Sequence, residues 1–266
     1  MMKLDSSLAW RQASAAIYAN RDVLLALAGV FFLLPRLAFA LLAPEPVAPA
    51  TGAAPEEMLR QMQAYYLKVL PMLLPTVLLE TVGTLAMLAL FADRRRPTVR
   101  EAIGQGVRAL LPYLAAQIGV AMAVAVAASV ALALGGQQQA AGGLLLGVVL
   151  GGFAYVAVRL VLLAPVVAVD GVANPLAAIR RSWALTAGNA GRLAVLLALV
   201  LVALVVVMLA ATSVLGAAAA LALGPDGARV VSAVVESVLA AAFVVYLTGL
   251  LAAVHRQLSV QPAALF

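Results

Sequence analysis

The sequence predicts an all-α, polytopic membrane protein: six transmembrane helices, with three short amphipathic helices lying at the cytoplasmic surface. Three observations predict it. Hydrophobic residues make up 65% of the 266 and charged residues only 11%, too little polar surface to cover a soluble globule of this size. The apolar runs reach the roughly 20 residues that a helix needs to cross about 30 Å of hydrocarbon. They are also continuously Leu, Val and Ala, whereas barrel strands alternate apolar and polar over about ten residues.

The elements follow in order, as a single domain over 1-266. The first twenty residues are mixed and polar (Lys3, Asp5, Arg11), without the short apolar core and small-residue site of a cleavable signal, so the first span is expected to stay in the mature protein. An interfacial helix over 6-19 can be capped by Ser6 or Ser7, and Trp10, Ala13 and Ile17 repeat along it at i, i+3 and i+7. The first span covers 23-42. An outer segment, 43-66, starts as a Pro/Ala-rich tether and continues from Pro55 as a short helix leading to Tyr65 and Tyr66.

The second span, 67-91, contains Pro71 and Pro75. An interfacial helix over 98-110 opens on a capping box, Thr98 with Glu101, and places Val99, Ala102, Ile103, Val107 and Leu110 on one face. Span three is 111-134. Span four, 144-164, carries a ridge of Gly143, Gly147 and Gly151, which admits either close packing within the chain or a seam with a second copy. The third interfacial helix, 174-187, has Asn174 as N-cap and Pro175 at the first helical position, where a missing N–H costs nothing. Spans five and six cover 193-221 and 230-251, and the three amphipathic segments read as an internal repeat of one surface helix per two spans.

Orientation follows from basic residues, which are retained on the cytoplasmic side. Lys3, Arg11, Arg21, Arg94, Arg95, Arg96, Arg100, Arg108, Arg180, Arg181, Arg192 and Arg256 fall on one side, against Arg60, Lys68 and Arg229 on the other. Both termini are therefore expected in the cytoplasm of a bacterial cell, with the protein in the inner membrane. The net charge of +6 is spread by topology and forms no groove or stripe, which argues against nucleic acid as a partner.

Enzymatic readings fail on inventory. There is no cysteine and a single histidine, His255, so thiolate chemistry and the His-Glu-x-x-His metal pattern are both absent. No metal or other cofactor is expected. His255 sits at the end of the last span and reads as an ordinary interfacial residue.

One stretch departs from the apolar background. Arg159, Pro165 and Asp170, followed by Asn174-Pro175-Leu176-Ala177-Ala178-Ile179-Arg180-Arg181-Ser182-Trp183-Ala184-Leu185-Thr186, resemble the signature of the membrane domain associated with glycerophosphoryl diester phosphodiesterases, related to YciC-like bacterial inner-membrane proteins. The match is strongest over 155-195. The resemblance implies an integral membrane module; the soluble phosphodiesterase domain of some members has no counterpart here. Arg159, Asp170, Arg180, Arg181, Ser182 and Trp183 are accordingly expected to meet lipid headgroups or a partner protein, because a tryptophan favours the headgroup layer and arginines meet anionic phosphates there.

Four charges fall inside the spans: Arg36, Glu80, Arg159 and Glu236. Each is costly unless paired or turned to a polar cavity. Arg36 is expected to pair with Glu236 or with Glu80, and Arg159 to snorkel or to reach Asp170. The sequence therefore points to a non-enzymatic module that binds or organises lipid or an envelope partner, which includes a second copy of the chain. The alternative is a small transporter or permease with Arg36, Glu80 and Glu236 along its path.

Overall fold

A computed structural model describes residues 3-44, 54-92, 98-135 and 139-259. Among these every regular element is helical. Arg94, Arg95 and Arg96, which weigh in the orientation argument, lie outside the described residues. Five stretches are long and apolar enough to cross a membrane.

The chain opens with α1 (Ser6–Ala19), then α2 (Arg21–Ala28), a π-helical turn (Gly29–Leu33) and α3 (Leu34–Leu42), the last three forming one rod. Asp5, and not Ser6 or Ser7, caps α1: its carboxylate accepts from the Leu8 amide at 2.9 Å and from the Ser7 hydroxyl at 2.8 Å. Those bonds, the Leu8 amide first, lower the Asp5 pKa. The cap is thus complete above the ordinary carboxylate range and is lost as pH falls through the lowered value. α1 turns Ala9 and Ala13 inward, while Trp10 lies to the side and stacks on Tyr246 at 5.8 Å.

α4 (Pro55–Ala92) is a single helix of 38 residues, so the short helix and the span expected separately around 55-62 and 67-91 are continuous. α5 (Val99–Gly135) behaves likewise. Its capping box forms, with the Thr98 amide donating to Glu101 at 2.9 Å and the Glu101 amide to Thr98 at 3.3 Å. The amphipathic stretch 98-110 is nevertheless no separate surface helix. Ala102 and Ala109 are buried in the core, and Gly106 lies so close to α4 that a Cβ there would fall 2.8 Å from the Val82 carbonyl oxygen. Packing against α4 holds the segment in line with its span.

α6 (Gln139–Arg159) ends earlier than the expected 164. Pro165 explains this, since its ring would clash with the carbonyl of residue 161 in an unbroken helix. The chain turns at 160-162 and resumes as α7 (Leu163–Ala168), whose Leu163, Val166 and Val167 are buried. α8 (Pro175–Leu185) starts where expected, with the Asn174 side chain accepting from the Leu176 and Ala177 amides at 3.0 and 3.2 Å.

α9 (Ala190–Ser259) is one helical trace of 70 residues broken at Gly224, whose φ is 75° and ψ −176°. A glycine tolerates that left-handed φ, and Pro225 is suited to start a new helix. The expected loop 222-229 shrinks to this single residue. The two arms, 190-223 and 225-259, then run side by side: a Cβ on Gly216 would lie 3.1 Å from the Ser232 hydroxyl, whereas residues 16 apart in a straight helix are separated by about 24 Å.

The core sits at one end, here termed the base, where α1, α7 and α8 gather. One apolar cluster joins Leu24, Phe32, Leu85, Leu88, Val166 and Ala252. A second joins Leu4, Ala9, Leu162, Leu193, Leu250 and Val254. Away from the base, Met122, Val126, Leu144, Val148, Val202 and Val206 are exposed, an apolar surface of the kind that lipid covers.

Candidate functional site

At the base, the end of α6 is clamped by α8. The carbonyl oxygen of Arg159 accepts hydrogen bonds from the hydroxyls of Ser182 at 3.0 Å and Thr186 at 3.1 Å. These residues are four apart and share a helix face, and they satisfy a carbonyl that the end of α6 leaves without a helical partner. Both hydroxyl residues are fully buried. Ser182, expected among headgroup contacts, is therefore a packing residue, and Thr186 is its partner in the clamp.

The clamp draws the Arg159 side chain beneath α8. Arg159 is 6% exposed, its guanidinium carbon lies 4.5 Å from the centre of the Trp183 ring and 6.0 Å from that of Tyr155, and its buried Nε has no hydrogen-bond acceptor among the described residues. It neither snorkels nor reaches Asp170. Asp170 is occupied from two other directions, accepting from Arg181 Nε at 2.6 Å and lying 3.2 Å from His255 Nε2. Tyr155 and Trp183 meet edge to face at 5.8 Å, so two half-open aromatic rings and a buried cation form one cluster. Arg180 is exposed on α8.

His255 is only 3% exposed, not an ordinary interfacial side chain. Ser259 and Asp170 both approach it, but through the same nitrogen, each at 3.2 Å from Nε2. In a nucleophilic triad the hydroxyl and the carboxylate use opposite ring nitrogens. This arrangement instead ties the end of α9 to the segment before α8.

Far from the base, Arg36 and Glu80 form a two-pronged ion pair, Nε to Oε1 at 2.6 Å and Nη2 to Oε2 at 3.0 Å. Of the two partners expected for Arg36, the structure selects Glu80. Register explains the choice. The π-helical turn brings Phe31 and Phe32 against Gly83, where a Cβ would be 2.5 Å from Phe31 Cβ, and Arg36 and Glu80 follow about one turn away on the antiparallel helices. The pair lines a cavity of about 360 Å³ together with Phe39, Met208, Glu236 and Ser237. Glu236 faces this cavity without an ion-pair partner among the described residues.

Sequence reasoning missed Tyr155, Thr186, Phe39, Met208 and Ser237. Tyr155 and Thr186 had a signal, since each is four residues from a named candidate on the same helix; the cavity residues depend on the fold. The glycine ridge has a clear placement: a Cβ on Gly143, Gly147 or Gly151 would meet nothing within 4 Å. It is not a packing seam among the described residues. Among the described residues no cluster of His, Cys, Asp and Glu could hold a metal ion. No family model matches the chain, and no curated protein or solved structure is significantly similar to it.

Proposed function

We propose that this chain is an integral inner-membrane module that binds anionic lipid headgroups at its base, with six spans and both termini in the cytoplasm. The observation that carries the reading is Arg159: a guanidinium buried at the end of a span, stacked on Trp183, with no carboxylate partner among the described residues. A cation so placed is partly compensated by the ring faces, and an anionic headgroup lying against the exposed Tyr155 and Trp183 rings supplies further counter-charge from outside. Arg180 adds an exposed positive charge on the neighbouring helix. The two arms of α9 supply the fifth and sixth spans, which returns the C-terminus to the side of α1. The resemblance of residues 155-195 to the phosphodiesterase-associated membrane domain belongs to this reading, as does a role in organising lipid or a partner protein without catalysis.

Two tests follow. A reporter fused within 135-143 should be active only in its outward form and one at the C-terminus only in its inward form; an outward C-terminus refutes the topology. For binding, the protein purified in mixed lipid should retain phosphatidylglycerol over phosphatidylcholine by native mass spectrometry. Arg159→Gln should reduce that preference several-fold, the loss expected for one arginine charge near an anionic surface, with little change in thermal stability because the clamp uses the Arg159 backbone oxygen. An undiminished preference refutes the reading.

A second reading, a small transporter or permease, is supported by the cavity shared by Arg36, Glu80 and Glu236. Its helices are less broken than transporter sites usually are, since α4 continues through Pro71 and Pro75. For that reason the lipid module stands first.

A further inference from the structure

We propose that the cavity between α3, α4 and the two arms of α9 binds an amphiphilic organic cation, its ammonium group held by Glu236 and its apolar body set against Phe39, Leu73 and Met208. The site is the one used by the transport reading, but the claim is separate: binding is required by both, movement across the membrane only by transport.

Charge decides the sign of the ligand. Arg36 and Glu80 cancel in their two-pronged pair, so Glu236 leaves the wall one negative charge in excess. Glu236 is exposed within the protein, and in the proposed sixth span a carboxylate is costly without a counter-charge; none is supplied by the described residues. The remaining polar wall also favours a donor. The Thr76 hydroxyl gives its proton to the Met72 carbonyl at 2.9 Å and keeps lone pairs free, and the hydroxyl of buried Ser237 can accept as well. An anion would face two carboxylates with only Arg36 to hold it, two of whose nitrogens are already engaged.

Size and the apolar wall decide the rest. A volume of about 360 Å³ is at the small end of organic-ligand sites, which span roughly 300–1,000 Å³, and is far larger than a bare metal ion fills. Phe39 and Leu73 give the apolar body a hydrophobic wall, and Met208 an adaptable one. The ammonium could come from a free lipophilic amine or from the headgroup of phosphatidylethanolamine.

The test uses the full chain in phosphatidylglycerol nanodiscs and three probes with the same chain: octylamine, octanol and octanoate. Octylamine should bind saturably, above the level taken up by protein-free discs, and the other two should not. Glu236→Gln, which leaves the Arg36–Glu80 pair intact, should weaken octylamine binding about tenfold or more, as loss of a charged hydrogen bond does. Ala240→Leu, which fills the cavity without altering its charge, should abolish it. Octylamine binding as tight in Glu236→Gln as in the wild type overturns the proposal, and so does octanol binding as well as octylamine. Repeating the titration with phosphatidylethanolamine in the discs identifies the source: competition assigns the site to the lipid headgroup, and its absence to a free amine. Failure here leaves the headgroup binding at Arg159 untouched, since neither residue changed lies at the base.

Discussion

Glu80→Leu is expected to destabilise the protein by about 1–2 kcal/mol, below the range for removing one partner of a fully buried ion pair, because the Arg36 and Glu80 side chains are 36% and 21% exposed and exposed pairs are worth less. The loss arises because Arg36 would keep its charge inside the bundle with nothing to neutralise it. The double variant Arg36→Met/Glu80→Leu should recover most of that stability, because two apolar side chains need no compensation in a hydrocarbon environment. Unfolding in mixed micelles measures both. If the double variant is as unstable as the single one, the cost lies in lost packing and not in an orphaned charge. By the same reasoning amine binding, which rests on Glu236, should persist in Arg36→Met/Glu80→Leu, because the pair removed carries no net charge.

Gly106→Ala should cost about 2–3 kcal/mol, the upper range for overpacking a close contact. A Cβ at this position would lie 2.8 Å from the Val82 oxygen and 2.9 Å from the Ala86 nitrogen, and both are backbone atoms of α4 that cannot swing aside. Gly147→Ala is the matched control on α6. Its Cβ meets nothing within 4 Å, so the change should be neutral or stabilise by about 0.5–1 kcal/mol through helix propensity. Thermal unfolding of the two variants side by side gives opposite signs if α4 and α5 pack as described. Equal shifts would mean that this contact does not form.

Much of the architecture was legible because membrane helices must satisfy their own backbone hydrogen bonds and must be long. Caps were legible too when a short side chain preceded a helix, as at Asn174 and Thr98. Asp5 was missed because two serines follow it, and the stronger acceptor outcompeted them. The boundaries at residues 98-110 and 222-229 went astray for different reasons. A polar-faced helix and a continuous span look alike until a partner helix is known, and a single glycine followed by proline can reverse a chain that composition would give a loop.

The candidate sites were legible as residue types and much less so as pairings. Intramembrane charges announce themselves by cost, which brought out Arg36, Glu80, Arg159 and Glu236. Which of them meet depends on helix register, set here by Gly83 under Phe31 and by a clamp on one carbonyl oxygen. Arg159 illustrates the gap: its nearest carboxylate in sequence, Asp170, is already held by Arg181 and His255.

The reversal at Gly224 fixes more than the path of the chain. Each arm of α9 has about 34 residues, so each is about 50 Å long, against a hydrocarbon layer of about 30 Å. With almost no loop between them the arms cannot adjust independently, and as the proposed fifth and sixth spans they must tilt together or emerge together from the bilayer. Glu236 lies on the second arm about three turns from that reversal, so on the proposed six-span topology membrane thickness becomes a mechanical input to the cavity that this residue lines.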